Sequence, residues 1–181
     1  MDKINRKVNS FWGNIFQSEN GQYPRITDIL KNIPIFSELT RSELKEVEQI
    51  IHQRYFKAQE TIFWEGEPGM GMYMIQQGEV GIYRNTENGE QEELAQLKSG
   101  DFFGDIALLG EFPRSATAIA LKDSYILGLF RPDLFRLFER NPRLGLKVLL
   151  KLANLIASRL QRTDEELQLL RTKLSKSEII V

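Results

Sequence analysis

The sequence contains no cysteine and a single histidine, His52, among 181 residues. The first absence excludes disulfides and thiolate metal sites. The second leaves only carboxylates beside one imidazole, and no clustered set of them has metal-ligand spacing. His52 reads as a strand-surface residue. A jelly-roll metal enzyme would need more than one imidazole, and no serine sits in a nucleophile-elbow motif, so no catalytic constellation is expected. No apolar run reaches the ~18 residues of a membrane span. The N-terminus lacks the long apolar core of a secretory signal. Charge of either sign is not in excess: 24 basic and 25 acidic residues leave a net charge of −1, which gives nucleic acid no general attraction. Repeats of solenoid length and low-complexity tracts are also missing. With 41% apolar and 27% charged residues, a globular protein of one domain with extensions is expected, in a reducing cytoplasm.

What is present falls into three parts: an N-terminal helical extension and linker over 1–24, a β-rich body over 25–140, and a long helix over 141–181. In the first, Ile4, Val8, Phe11 and Ile15 share one helical face, with Trp12 and Phe16 adjacent and Lys3, Arg6 and Lys7 adding positive charge. The preferred reading is a helix that covers part of the core or another subunit; a membrane-surface helix is the other, and the basic residues are few for it. Residues 18–24, SENGQYP, form a polar linker.

The body opens with a short helix over 27–36, stopped near Pro34. Thr40 with Glu43 forms a capping box for a second helix whose buried stripe is Leu44, Val47, Ile50 and Ile51. The apolar period then changes to two. Strands are expected around 52–57, 60–65, 71–77, 79–85, 92–97, 115–121 and 124–130, with turns at Glu67-Pro68-Gly69, Gly78, Asn88-Gly89, Gly100-Asp101 and Lys122-Asp123. The fold class is therefore mainly β with flanking helices, a jelly-roll β-roll followed by a long C-terminal helix. Trp12, Trp64 and the phenylalanines read as core residues. Pro132 opens one helix, and Asn141 caps the last, with Pro142 at its first position. Leu146, Leu149, Ala153, Ile156, Leu160, Thr163, Leu167, Leu170 and Leu174 alternate spacings of three and four. Such a heptad seam predicts a parallel homodimer through 142–175, with intrachain packing as the alternative.

The chemistry concentrates between two expected strands, in Phe102–Ile119, FFGDIALLGEFPRSATAI. An apolar run after Gly104-Asp105 can form one helical turn whose leading amides, near Ile106 and Ala107, suit an anion. Arg114 can return beside it as a planar cationic fork, and Ser115 adds a hydroxyl. Asp105 repels a phosphate and suits sugar hydroxyls. The stretch thus asks for a small ligand carrying a phosphate and a ribose. For Arg114 the plain alternative is a surface loop arginine, and for Asp105 a helix cap.

Phe103-Gly104-Asp105-Ile106-Ala107-Leu108 followed by Pro113-Arg114-Ser115-Ala116-Thr117 resembles the phosphate-binding cassette of cyclic nucleotide-binding domains. The resemblance runs from about Ile33 to about Leu174 and includes Pro34-Ile35-Phe36-Ser37-Glu38-Leu39, Glu65-Gly66-Glu67, Tyr73-Met74-Ile75 and Gly78-Glu79-Val80. It implies a cAMP or cGMP ligand and no other cofactor: Arg114, Ser115 and amides near Ile106 and Ala107 on the cyclic phosphate, Asp105 and the Gly104 backbone at the ribose. The family's ribose-binding Glu is Asp105 here, one methylene shorter. A charge-assisted hydrogen bond is worth ~1.5–3 kcal/mol, so its loss is roughly ten- to a hundred-fold in affinity. Residues 157–165, ASRLQRTDE, resemble the C-helix of the bacterial catabolite-activator group, where a Thr at the position of Thr163 contacts the base across the dimer; the following family Ser is Asp164 here. The implied function is a non-enzymatic cyclic-nucleotide sensor that signals to a dimer mate or separate effector protein through its last helix. A module that keeps the β-roll but not the ligand is the alternative. The residues after Ser175 are too few for the helix-turn-helix that family transcription factors append, so direct DNA binding is not expected.

Overall fold

The computed structural model describes residues 24–86 and 88–178, with side chains as far as residue 172. The expected helical extension over 1–17 lies outside the described residues. Two four-stranded antiparallel sheets face each other, in the orders β1-β8-β3-β6 and β2-β7-β4-β5. The strands are β1 (Ile51–Phe56), β2 (Thr61–Phe63), β3 (Gly71–Gln77), β4 (Glu79–Asn85), β5 (Gln91–Lys98), β6 (Phe102–Phe103), β7 (Thr117–Ala120) and β8 (Ser124–Phe130). The expected jelly-roll arrangement is therefore observed, with β6 as an added two-residue strand at the start of the Phe102–Ile119 stretch.

Alternation along the strands divides the core in two. In β3, Ile75 turns into the roll, where it meets Phe56, Val80, Phe103, Ala118 and Ile126, while Tyr73 packs at the edge of the same cluster. Met72 and Met74 turn outward, and β8 adds Leu127 and Leu129 to that face. This outer face is apolar because four helices cover it: α1 (Ile26–Asn32), α2 (Arg41–Glu48), α3 (Arg131–Arg140) and α4 (Pro142–Glu178). They supply Ile29, Leu30, Leu44, Leu134, Leu144 and Val148 to one cluster, joined by Phe36 from the 3-10 turn Pro34–Phe36. Period-two residues thus glue a sheet to helices on one side and to a second sheet on the other.

The helix starts follow their local chemistry. The Thr40 hydroxyl accepts from the Glu43 amide at 3.3 Å and the Glu43 carboxylate accepts from the Thr40 amide at 2.7 Å, a complete capping box. Asn141 Oδ1 accepts from the Leu144 amide at 3.2 Å and starts α4. Helix α4 buries Leu144, Val148 and Leu152, a stripe of period four distinct from the heptad seam. Of the seam, Ile156 packs against the core, whereas Leu146, Leu149, Leu160, Leu167 and Leu170 are exposed. From residue 157 to 172 every side chain of α4 is exposed.

Candidate functional site

A cavity of about 300 Å³ opens on the roll, walled by Phe63 of β2, Ile82 of β4, β6, the 3-10 turn Asp105–Leu108, the loop through Arg114 and Ser115, and Arg159 of α4. Arg114 is not a surface loop residue: it is 7% exposed. Its backbone is fixed by the Glu65-Gly66-Glu67 turn, since its amide donates to the Glu67 carbonyl and its carbonyl accepts from the Gly66 amide, each at 2.8 Å. Gly66 has φ +84°, a turn geometry that glycine adopts without strain. Thr117 Oγ1 accepts from the Glu65 amide at 3.0 Å and ties the same turn to β7.

The Arg114 guanidinium lies 4.1 Å from the Phe63 ring centroid and 5.4 Å from that of Tyr73. Nη1 donates to the Gly104 carbonyl at 3.2 Å, and Nε is buried without a partner. No carboxylate pairs with it among the described residues; Glu67 acts only from a distance. Burial pushes its pKa down from the usual arginine value, opposed by Tyr73 and Glu67. An arginine nevertheless stays protonated near neutral pH, so a cation is held in a low-dielectric wall with unused donor capacity. Buried polar groups are almost always satisfied, and an unsatisfied one costs ~1–3 kcal/mol. An anion in the cavity would lie beside this guanidinium.

Gly104 has φ +71°, and a Cβ there would lie 2.5 Å from Arg114 Nη1. Glycine is therefore needed for both the turn and the approach of the guanidinium. The Ala107 amide donates to the Gly104 carbonyl at 3.2 Å, closing the turn, so Asp105 and Ile106 carry its leading amides. Ser115 lines the cavity and its carbonyl accepts from Arg84 Nε at 3.3 Å.

Asp105 is 4% exposed, and both carboxylate oxygens accept from Arg159 Nη1, at 2.9 and 2.7 Å. Arg159 was not assigned a role from sequence. The available signal was its place one helical turn before Thr163 on a helix expected to close over the site. Thr163 is exposed, donates to the Arg159 carbonyl at 3.0 Å and does not line the cavity. The structure thus gathers Gly104, Asp105, Ile106, Ala107, Arg114 and Ser115 at one cavity and leaves Thr163 outside it.

Three aromatics expected in the core are exposed: Trp64 and Phe112, each 53% exposed on loops rather than strand faces, and Phe135, 47% exposed on the side of α3 away from its buried Leu134 and Leu137. Phe63, Phe102 and Phe103 do line the cavity and give it apolar walls. Among the described residues, no three His, Cys, Asp or Glu side chains gather to hold a metal ion, and no helix is long and apolar enough to cross a membrane.

Residues 53–141 match the sequence pattern of the family described as Cyclic nucleotide-binding domain. They belong to the cyclic nucleotide-binding domain family. The chain is 36% identical over 141 residues to the cyclic AMP receptor protein of Thermus thermophilus, covering 78% of this chain and 63% of that one. It is 33% identical over 96 residues to a cAMP-dependent protein kinase regulatory subunit of Hypocrea atroviridis, covering 53% of this chain and 20% of the other. The crystal structure of Thermus thermophilus catabolite activator protein superposes with a TM-score of 0.68 at 36% identity, covering 76% of this chain and 62% of that structure. The chain thus spans less than two thirds of each of these relatives. The eight-stranded roll and long last helix are those of a cyclic nucleotide-binding domain.

Proposed function

We propose that this cyclic nucleotide-binding domain is a non-enzymatic sensor that takes a 3′,5′-cyclic nucleotide, cAMP first, into the cavity beside Arg114. One observation carries the reading: a guanidinium 7% exposed, with an unpartnered Nε and no carboxylate partner among the described residues, in the wall of a cavity that Phe63, Ile82, Phe102 and Phe103 also line. A singly charged phosphodiester matches one buried cation, and the apolar walls suit a sugar and base. Two relatives whose names carry cyclic AMP support the choice of nucleotide. Arg114 and Ser115 hold the phosphate, the amides of Asp105 and Ile106 head the turn beside it, and Asp105 meets the ribose.

The output is the position of α4. Arg159 fastens that helix to Asp105, so a ligand hydroxyl at Asp105 meets a carboxylate already shared with α4. The nucleotide then favours one placement of the helix over another, a population shift. The exposed seam Leu146, Leu149, Leu160, Leu167 and Leu170 supports a parallel homodimer, with a separate effector protein reading the change. Thr163, on that seam, faces the dimer axis in this reading.

Calorimetric titration with cAMP and with cGMP, with Arg114→Ala as control, tests the reading. Micromolar binding that disappears in the control is the expected result, and the stronger ligand identifies the signal. A second reading has one observation in its favour: Arg159 already satisfies Asp105, which leaves a ligand less to gain there. No heat from either nucleotide with folded protein would replace the sensor by an assembly module built on the same roll.

A further inference from the structure

The inner face of β4 ends in an arginine. Val80 and Ile82 of that strand pack into the roll. Gly81 and Tyr83 share the other face, since a Cβ on Gly81 would lie 2.5 Å from the Tyr83 ring. Alternation therefore puts Arg84 on the inner face, two residues beyond Ile82, which lines the cavity. Arg84 Nε donates to the Ser115 carbonyl at 3.3 Å, and the residue is exposed. Glu92 lies opposite it on β5, and Glu65 Oε2 accepts from the adjacent Asn85 amide at 3.0 Å. Neither carboxylate forms an ion pair with Arg84, and both of its Nη groups are without a protein partner among the described residues.

Resting on the cyclic-nucleotide reading of this cavity, we propose that Arg84 is a further residue of the ligand site: its charge draws the anionic nucleotide to the cavity, and its Nε bond holds Ser115 in place beside Arg114. The chain as a whole offers an anion no attraction, with a net charge of −1. Inside the cavity, Asp105 and Arg159 neutralise each other. Arg114 is 7% exposed and meets only a ligand that has already entered. Arg84 is the exposed cation on the approach, one bond from a residue that lines the cavity. A charge at the rim of a site acts on encounter and on salt dependence. The bond to Ser115 is a separate contribution. The Ser115 hydroxyl has no hydrogen-bond partner among the described residues, so it is free for a phosphate once its backbone is held.

Two substitutions separate these contributions. Gln carries its amide nitrogen as many bonds from the backbone as Arg carries Nε. Arg84→Gln therefore removes the charge and keeps a donor for the Ser115 carbonyl. Met has the same length with neither, so Arg84→Met removes both. Arg84→Lys keeps the charge.

Calorimetric titration of the full chain and these variants with cAMP and cGMP is made at ~0.01 M salt, where charges act over ~30 Å, and at ~1 M, where they act over ~3 Å. Arg84→Gln is expected to bind ~3- to 10-fold more weakly than the natural protein at low salt and equally well at high salt. Arg84→Lys is expected to restore the salt dependence, which an arginine with a merely structural role would not require. Arg84→Met is expected to bind a further ~2- to 10-fold more weakly than Arg84→Gln at both salt concentrations, the worth of one hydrogen bond. Thermal unfolding without ligand checks that each variant is folded. Arg84→Gln binding as tightly as the natural protein at low salt, or more weakly by a factor that salt leaves unchanged, would overturn the steering role. Arg84→Met binding as tightly as Arg84→Gln would overturn the positioning role. Both outcomes leave the cavity a nucleotide site, whereas a natural protein that binds neither nucleotide would remove that reading and Arg84 with it.

Discussion

Asp105 and Arg159 stand 54 residues apart in sequence and 2.7 Å apart in space, and among the described residues their ion pair is the direct polar link between the Phe102–Ile119 stretch and α4. The carboxylate is nearly buried, with 6% of its side chain exposed, while the arginine side chain is 48% exposed. The aspartate is the member that depends on the pair, since water can serve the arginine but hardly reaches the carboxylate.

Arg159→Ala is therefore expected to destabilise the fold by ~1–3 kcal/mol, the cost of leaving a buried acceptor unsatisfied. Asp105→Asn should cost less, and the double variant should cost less than the sum. Urea unfolding of the four proteins measures the coupling. Strict additivity would mean that the pair contributes nothing to stability.

Gly104→Ala places a methyl 2.5 Å from Arg114 Nη1 at a backbone φ of +71°. A non-glycine residue in such a conformation costs ~1–3 kcal/mol, and the guanidinium must also shift. Lower thermal stability together with weakened cyclic-nucleotide binding is expected. A variant that unfolds earlier but binds with unchanged affinity would remove Gly104 from the site while leaving its role in the turn.

The capping box makes a pH prediction. The Glu43 carboxyl is held below its ordinary pKa, first by the Lys147 ammonium at 2.8 Å and then by the Thr40 amide. A carboxyl with a depressed folded pKa contributes stability above its unfolded value, near ~4.3, and loses it as pH falls through the folded one. The stability difference between the natural protein and Glu43→Gln should be level above pH ~6 and shrink toward acid. A difference that grows as pH falls would contradict the assignment.

Much of this architecture was legible because it rests on local rules. The switch to period two located seven of the eight strands, and Thr40 with Glu43 and Asn141 with Pro142 marked two helix starts. β6 was not legible, since two residues carry no period. The cassette residues were legible as a cluster because they are close in sequence. Arg159 was not, because its partner is 54 residues away and nothing local singles out one arginine on a charged helix. Trp64 and Phe112 misled because composition assigns aromatics to cores, whereas these loops hold them outward.

The outward seam of α4 makes the assembly prediction. Leu160 and Leu167 are 69% and 44% exposed, on a stretch where no side chain from 157 to 172 is buried. Leu160→Glu with Leu167→Glu is expected to give a monomer by light scattering at concentrations where the natural protein is a dimer. The roll should stay folded, because Leu144, Val148 and Leu152 hold α4 to it from a different stripe. A natural protein already monomeric at these concentrations would remove the homodimer.

Arg114 separates function from stability. Its guanidinium is desolvated, stacked on Phe63 and unmatched by any carboxylate among the described residues. Replacing even a buried ion pair with apolar side chains of similar volume is often neutral or stabilising by ~1–4 kcal/mol, and a lone buried cation has less Coulombic attraction to lose. Arg114→Met should therefore unfold no earlier than the natural protein, and the methionine can occupy the same bed of Phe63 and Tyr73. The same change should weaken cyclic-nucleotide binding by at least ~30-fold, because the buried cation that would meet the phosphate is gone. Thermal unfolding without ligand and calorimetric titration with it read the two effects separately. A large loss of stability would show that the Gly104 carbonyl bond and the ring stacking outweigh the desolvation cost, making Arg114 a structural residue. Retained stability with lost binding would show that the arginine is kept at this position for its ligand.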